Sequence, residues 1–348
     1  MNKPKLGVIF GGTSTEHDVS IVSGTSVLKN LDKNKYQIFP IYINKNGDWF
    51  ECIYNNETYK VGDEINTSNK IENICKYLQN LNIVFPVLHG LGGEDGTIQG
   101  MLELLKIPYV GSKVLSSSLC MDKVYTKVIF EKANINQAEY VYIRKYNDNY
   151  IFIDKDFTEE ILDIYEVLQR ITDRIEFPIF VKPSNSGSSV GINKANDIEE
   201  LKSAIEHAIL FDNKILIEEG INGKEIECAV LGNEEVRASV LGEIIPADKF
   251  YSFNAKYNNK ESKTIIPASL QEELSNKIRE IAIKAYKATD CKGLARVDFF
   301  VNDKTEKIYI NEINTIPGFT EISMYPKLWE ASGVTYTELL DKLIDLAL

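Results

Sequence analysis

Arg296-Val297-Asp298-Phe299-Phe300-Val301, followed by Ile308-Tyr309-Ile310-Asn311-Glu312-Ile313-Asn314 and then by Pro317-Gly318, is the stretch on which the fold turns. Val297, Phe299 and Val301 alternate with other residues, as do Ile308, Ile310 and Glu312, which predicts two adjacent strands. Paired as a hairpin, they let Asp298, Glu312 and Asn314 project from neighbouring positions on one face. Two carboxylates and an amide oxygen form an oxygen-only donor set suited to Mg²⁺ carrying nucleotide phosphates. Arg296 stands two residues before Asp298 and shares that face, where a guanidinium can stabilise charge on a reacting oxygen. The plainer alternative is a pair of edge strands with solvated acids, so the rest of the chain has to decide.

Composition narrows the choice. The chain has 348 residues, 44% hydrophobic and 26% charged, which is ordinary globular usage and long enough for two or three cores. A formal net charge of −12 argues against a nucleic-acid partner or an anionic membrane surface, because the leading electrostatic interaction is repulsive. Cys52, Cys75, Cys120, Cys228 and Cys291 are scattered without CxxC spacing, as expected for reduced, mostly buried thiols rather than a zinc site or disulfide frame. Met1 to Lys5 lead directly into an apolar strand, and no apolar run is long enough to span a bilayer. The expected location is the cytoplasm. Trp49 and Trp329 are read as packing residues.

The order of elements predicts three domains. In the first, at 1–121, strands are expected at Leu6–Phe10, Gln37–Ile43 and Ile83–Leu88. Helices are expected up to about Leu31, at Ile71–Leu78 and at Thr97–Leu105. Glycine loops follow the first and last of these strands, which is the pattern of a parallel, Rossmann-like α/β layer. The second, at 122–217, has helices at Asp122–Ala133 and Ile198–Leu210 and strands at Phe177–Lys182, Ser189–Lys194 and Lys214–Ile217. Its polar, Tyr-rich segment Arg144–Ile175 carries a helical patch at Glu159–Arg170. The third, at 218–348, has meandering strands from Glu225 to Ile245, a polar loop at Asp248–Ser262, a helix at Gln271–Thr289, the carboxylate hairpin and a last helix at Tyr336–Leu346.

Several loops between these elements could carry chemistry. Lys182-Pro183-Ser184-Asn185-Ser186-Gly187-Ser188-Ser189-Val190-Gly191 offers backbone N–H groups and hydroxyls to anionic oxygens, and Lys182 brings an ammonium from an apolar strand. It is not a Walker A loop. Glu218 and Glu219 follow an apolar strand, where a carboxylate and neighbouring backbone could meet an adenine edge and, with Glu225, ribose hydroxyls. Gly11 to Ser20 ends a strand and opens a helix, and within it Glu16 could accept from a substrate ammonium. His89 ends a strand beside a second glycine loop, a position that favours a pocket role. Phe250 to Tyr257 is an aromatic run inside a polar loop, read as a lid, with Lys256 and Tyr257 as its contact residues.

In this order the blocks resemble D-alanine–D-alanine ligases of the ATP-grasp superfamily. The matching segments are Gly11 to Ser20, Leu88 to Gly100, Met121-Asp122-Lys123, Lys182 to Gly191, Phe250 to Tyr257, Arg296-Val297-Asp298 and Asn311 to Gly318. The resemblance implies a three-domain ATP-grasp fold and an ATP-dependent ligation of two D-alanines through an acyl phosphate, for peptidoglycan precursors. It further implies that Glu16, helped by His89, holds the first D-alanine's ammonium, and that Glu16, Ser188 and Tyr257 are hydrogen-bonded as a set. Lys123, Lys182 and Lys256 would neutralise ATP phosphates; Glu218, Glu219, Ile221 and Glu225 would contact adenine and ribose. Asp298, Glu312 and Asn314 would ligate two Mg²⁺, with Mn²⁺ as a substitute. Arg296 and the Gly318 N–H would form an oxyanion site, and Ser323 and Met324 would bind the second D-alanine. Tyr257 implies an amine nucleophile, which leaves D-serine as the alternative second substrate. A homodimer is the assembly the resemblance implies.

Overall fold

The computed structural model describes residues 3–54, 59–188, 190–245, 263–302 and 304–348, in a mixed α/β arrangement of three sheets. The first is built from β1 (Lys5–Gly11), α1 (His17–Asn30), β2 (Gln37–Ile43), β3 (Trp49–Cys52), β4 (Thr67–Lys70), α2 (Ile74–Leu78), β5 (Ile83–Pro86), α3 (Thr97–Leu104) and α4 (Val114–Met121). Its order is β4-β3-β2-β1-β5, with β1 parallel to both β2 and β5. Leu6, Val8, Ile9 and Phe10 are all fully buried, as a central parallel strand covered on both faces requires. The layer is not parallel throughout: β3 and β4 extend it antiparallel at one edge. The expected helix at Ile71–Leu78 begins only at Ile74, because Asn73 caps it by accepting from the Lys76 N–H. Helix α4 went unread because its serines look like a loop; Ser116 and Ser117 are instead buried in the helix.

The second sheet uses α5 (Lys123–Lys132), β6 (Tyr140–Tyr146), β7 (Asn149–Ile153), β8 (Glu159–Leu162), α6 (Ile164–Thr172), β9 (Ile179–Pro183), β10 (Asn193–Ala195), α7 (Ile198–Ala208) and β11 (Lys214–Glu219). Its order is β10-β9-β11-β6-β7-β8, and α6 and α7 seal one face over Val141, Ile143, Phe152, Val181 and Ile217. The expected helical patch at Glu159–Arg170 divides at Asp163. Before it, β8 pairs antiparallel with β7; after it, Asp163 and Glu166 form a capping box that starts α6. The Tyr-rich segment also contains the end of β6 and all of β7: Tyr150 packs in the helix-covered core, while Tyr140 and Tyr142 at the start of β6 bury with Val124, Ile153 and Leu216 on the opposite face. The expected strand at Ser189–Lys194 shrinks to Asn193–Ala195, the only part that pairs with β9.

The third sheet follows with β12 (Lys224–Leu231), β13 (Arg237–Ile245), β14 (Lys263–Ile265), α8 (Glu272–Ala288), β15 (Leu294–Val301), β16 (Ile308–Asn314), α9 (Met324–Ala331) and α10 (Tyr336–Asp345). Its order is β14-β13-β12-β15-β16. The hairpin forms as expected: Asp298 lies opposite Glu312 and Arg296 opposite Asn314, with a shift of register just after Asp298. Helix α8 lays Ile278, Ala282, Ala285 and Tyr286 over the sheet. Helices α9 and α10 turn back to the first sheet, and Leu328, Trp329, Leu340 and Leu343 share one core with Leu6, Phe10, Leu28 and Phe85. Phe319 sits in that core against Phe85, ring centroids 5.9 Å apart, and so pins the Pro317-Gly318 loop beneath α1. Burying such a ring stabilises the join by about 2–3 kcal/mol. The expected lid, Asp248–Ser262 with Phe250 to Tyr257, lies outside the described residues.

Candidate active site

The loop after β1 and the loop after β9 meet at Glu16. Its carboxylate is buried and accepts from the Ser188 hydroxyl. A Cβ on Gly187 would run into the same carboxylate, so a glycine is needed for the approach. His89, also buried, uses both ring nitrogens on protein partners. Nδ1 lies 3.1 Å from the Ile316 carbonyl and Nε2 lies 2.9 Å from the Ser23 hydroxyl. The Ser23 oxygen in turn accepts from the Phe319 N–H at 3.2 Å. These bonds are consistent in one tautomer, with Nδ1–H donating to the carbonyl and Nε2 accepting from Ser23. Burial holds the imidazole pKa below its usual value, keeping it neutral at pH 7. His89 thereby ties the first sheet to the Ile316–Phe319 turn.

Glu94, which the sequence reading left without a role, accepts from the Gly90 N–H at 3.0 Å. Burial, then the neighbouring Glu16, push its pKa well above the usual carboxylate range. It holds the His89-Gly90 turn against Glu16.

The cationic side of the site is organised around Asp122 and Glu218. Asp122 caps α5, accepting from Val124 and Tyr125 N–H groups at 3.1 Å each. Its carboxylate also takes the Ser184 hydroxyl at 2.7 Å and the Lys214 ammonium. The next residue, Lys123, donates from its backbone to the Ser184 carbonyl at 3.0 Å and from Nζ to the Ser186 carbonyl at 2.5 Å. Helix start and Ser/Gly loop are thus one assembly. Glu218 is buried between two ammonium groups, Lys127 at 2.8 Å and Lys182 on its other oxygen. Burial alone would raise the Glu218 pKa, but Lys127 and Lys182 outweigh it and bring it to about 2. Burial also pulls Lys182 down, yet Glu218, Glu312 and Glu225 more than offset it and its pKa rises. Lys182 further reaches Asn311 Oδ1 at 3.4 Å, which brings it to the strand bearing Glu312. Glu218 and Glu219 stand on β11 itself, not beyond it. The Glu219 N–H already donates to the Glu139 carbonyl at 2.9 Å, so that group is not offered to a ligand. Ile221 lies in the turn to β12 and Glu225 on β12.

On the hairpin, Arg296 makes a two-pronged bond to Asp298, 2.7 Å from each oxygen, and lies 3.1 Å from Glu227. Burial opposes the charge, but Asp298 and Glu227 raise the guanidinium pKa well above its usual value. In this structure the guanidinium is engaged by these two acids. Asn314 donates to Asp298 at 3.0 Å. Among the described residues no cluster of three or more His, Cys, Asp or Glu is gathered as a metal site. The donors on hand are two carboxylates on facing residues and one amide oxygen, all hard ligands. Such a partial shell fits a cation that completes its coordination with phosphate oxygens and water.

Beyond the hairpin, Gly318 adjoins Ser323, whose Oγ accepts from the Thr320 N–H at 3.0 Å. Ser323 is the residue before α9, and its side chain makes no cap bond to that helix. Met324 has its side chain buried in the core beside Gly242, leaving only its backbone at the helix start. Lys256 and Tyr257 lie outside the described residues. Ser188 joins the Ser/Gly loop to Glu16, Lys123 grips the same loop at Ser186, and Lys182 at its start reaches Asn311 beside Glu312. Acid-binding loop, lysines and hairpin therefore face one space.

Residues 5–112 match the family model described as D-ala D-ala ligase N-terminus, and residues 129–345 the one described as D-ala D-ala ligase C-terminus. The chain belongs to the D-alanine–D-alanine ligase family. It is 50% identical to the D-alanine–D-alanine ligase of Clostridium acetobutylicum over 99% of this chain and 98% of that one. With the ligase of Acetivibrio thermocellus the figures are 49%, 99% and 96%. Among solved structures, the VanG D-Ala:D-Ser ligase from Enterococcus faecalis superposes with a TM-score of 0.83 at 36% identity, over the full length of both chains. The Bacillus anthracis D-alanine–D-alanine ligase complexed with ATP gives 0.76 at 32% identity, covering 100% of this chain and 97% of that one. This ligase family forms D-alanyl-D-alanine with ATP for peptidoglycan synthesis. The expected fold class holds: the α/β ATP-grasp architecture of these ligases. No described helix is long and apolar enough to cross a membrane. Of the residues that shape the site, the sequence reading gave no role to Ser23, Glu94, Lys127 or Glu227. Only Glu94 left a signal, an acid inside a glycine loop.

Proposed function

We propose that the chain joins two D-alanines through an acyl phosphate, with each residue near Glu16, Lys182 and Asp298 in the role that its position supports. The observation that carries this reading is the cross-strand pairing of Asp298 with Glu312, beside Asn314 and within the field of Lys182. Asp298, Glu312 and Asn314 would hold two magnesium ions, or manganese in their place, which would supply neutralisation of the charge on the transferred phosphoryl group. Lys123 and Lys182 hold the phosphates, and Glu218 the adenine edge, with Ile221 and Glu225 toward base and ribose. Glu16 accepts from the ammonium of the first D-alanine, and Ser188 keeps that carboxylate in place. Activation makes its carboxyl group electrophilic. The amine of the second D-alanine attacks it, the tetrahedral oxyanion is met by Arg296 and the Gly318 N–H, and phosphate leaves. Ser323 and the start of α9 receive the second carboxylate, as helix N-termini do. Lys256 and Tyr257 belong to the proposed lid.

The division at 1–121, 122–217 and 218–348 is the proposed domain plan, with a cytoplasmic homodimer as the assembly. Size-exclusion chromatography with light scattering tests the dimer. The decisive experiment incubates the purified chain with ATP, Mg²⁺ and D-alanine, and measures ADP, phosphate and dipeptide. Equimolar D-alanyl-D-alanine and ADP is the expected result; ATP turnover without dipeptide refutes the reading. D-Serine as second substrate is the other reading, favoured by the likeness to the VanG ligase. The same assay with both amino acids decides it, because one hydroxyl alters few contacts. The higher identity to relatives named for D-alanine supports D-alanine.

A further inference from the structure

Lys127 is the most buried ammonium of the site, with 2% of its surface exposed. It projects from α5 to Glu218 Oε2 at 2.8 Å and lies 5.4 Å from the centre of the Tyr140 ring. Its own carbonyl accepts from Gln137 Nε2 at 2.9 Å, which fixes the helix turn that carries it. A lone buried lysine would lose its charge or its place; burial lowers the Lys127 pKa, and Glu218 offsets part of that loss. Two ammonium groups on one carboxylate leave the cluster with a net charge of one positive unit.

We propose that Lys127 is a positioning residue for the nucleotide: it fixes one oxygen of Glu218 so that the carboxylate presents an acceptor to the base, and it leaves Lys182 free to turn to phosphate. The inference rests on the reading of Glu218 as a base contact. An ionised carboxylate accepts only. It suits the exocyclic amino group of adenine and opposes the carbonyl oxygen that guanine carries at the same edge. Were Lys182 the sole partner of Glu218, the pair would be neutral and the lysine would be held on the acid. With Lys127 sharing the carboxylate, Lys182 can exchange Glu218 for an anionic phosphate without stranding a buried charge. Lys127 thereby links base selection to phosphate binding, from a helix whose first residue, Lys123, already grips the phosphate loop.

The test compares wild type, Lys127→Met, Lys127→Arg and Glu218→Gln in steady-state assays with ATP and with GTP, with thermal melts alongside. Lys127→Met is expected to raise the KM for ATP on the order of tenfold, with kcat falling far less and the KM for D-alanine unmoved, because uniform nucleotide binding is lost. Its preference for ATP over GTP falls in the same proportion, and Lys127→Arg, which keeps the charge, restores most of it. A Lys127→Met protein with wild-type KM for ATP and wild-type preference overturns the proposal if Glu218→Gln does change them. If Glu218→Gln changes neither, the base contact itself is wrong and the inference falls with it. Should Lys127→Met fail to fold, Lys127→Gln, which keeps a donor but no charge, decides between the same outcomes.

Discussion

Replacing Asp122 by alanine tests the idea that helix α5 and the Ser/Gly loop are one assembly. The carboxylate accepts from two backbone N–H groups, from the Ser184 hydroxyl and from the Lys214 ammonium. Losing an N-cap costs about 1 kcal/mol. The ion pair is largely buried, with side chains 17% and 13% exposed, and stranding Lys214 costs about 1–2 kcal/mol after a discount for screening. The Ser184 bond adds about 1 kcal/mol. The variant is therefore expected to lose about 3–4 kcal/mol in urea unfolding, on the order of half of a typical domain's stability. Asp122→Asn keeps a good cap but loses the ion pair, and should lose about half as much. A second readout separates local disorder from general weakening. Lys123 and Ser184 move with Asp122, so the KM for ATP should rise on the order of tenfold in the alanine variant while the KM for D-alanine holds. Lys214→Met combined with Asp122→Ala should be less than additive, because the stranded charge is gone. A loss below 1 kcal/mol, or a full loss with an unchanged KM for ATP, would refute the coupling of cap to phosphate loop.

Three further outcomes are expected. Glu312→Gln should cut kcat by about a thousandfold with little change in melting temperature, and chelating divalent cations should halt wild-type turnover; Mn²⁺ binding followed by electron paramagnetic resonance in the presence of ADP should weaken in the same variant. Gly187→Ala places a methyl against the Glu16 carboxylate that Ser188 holds, so it should raise the KM for D-alanine on the order of tenfold and leave stability nearly intact; an unchanged KM would count against Glu16 as the ammonium site. His89 gives a pH signature. Its folded pKa lies below the usual 6.5, so the unfolded chain binds the proton more readily. The stability it confers is present above pH 6.5 and is lost as pH falls through the window below. The melting-temperature difference between wild type and His89→Gln should shrink over that range. Glu94 titrates in the opposite sense in both proteins and cancels in the difference.

Where a residue's partners are close in sequence or set by strand alternation, the sequence reading succeeded. Asp298, Glu312 and Asn314 share a face because both strands have period two and the loop between them is short. The start of α5 was readable at Asp122, whereas the caps at Asn73 and Asp163 were passed over and those helix starts were misplaced. The failures have different causes. The helix at Val114–Met121 is serine-rich and weak in local preference, so packing decides it; the strands at Tyr140–Tyr146 and Asn149–Ile153 are rich in Tyr, Val, Ile and Phe, a strand signal that the charged and polar residues around them masked. The partners of His89 and Arg296 (Ser23 and Ile316, Glu227) come from other segments, which no local pattern reveals. Lys127 left no mark: a lysine on a helix is ordinarily solvated, and only the fold shows it under Glu218.

These partners show how an acidic chain can receive a polyanion. The cations of the site are not bare; Lys182 rests on Glu218, and Arg296 on Asp298 and Glu227. An unpaired buried charge would cost several kcal/mol, so the fold needs these acids. Binding ATP with its metal is then an exchange rather than a simple neutralisation. In the proposed site phosphate would take over Lys182 and Asp298 would turn to the cation, while the acids that remain, Glu218 beside Lys127 and Glu227 beside Arg296, would keep the displaced groups charged and close. The exchange needs both halves of the ligand at once. Phosphate without a divalent ion would meet Asp298 and Glu312 uncompensated, and a divalent ion alone would compete with Arg296 for Asp298. Metal and nucleotide should therefore bind with positive coupling, each tightening the other by the same factor. Calorimetry with ADP, with and without Mg²⁺, reads that factor directly, and equal ADP affinity in the two titrations would show that the hairpin takes no part in holding the nucleotide.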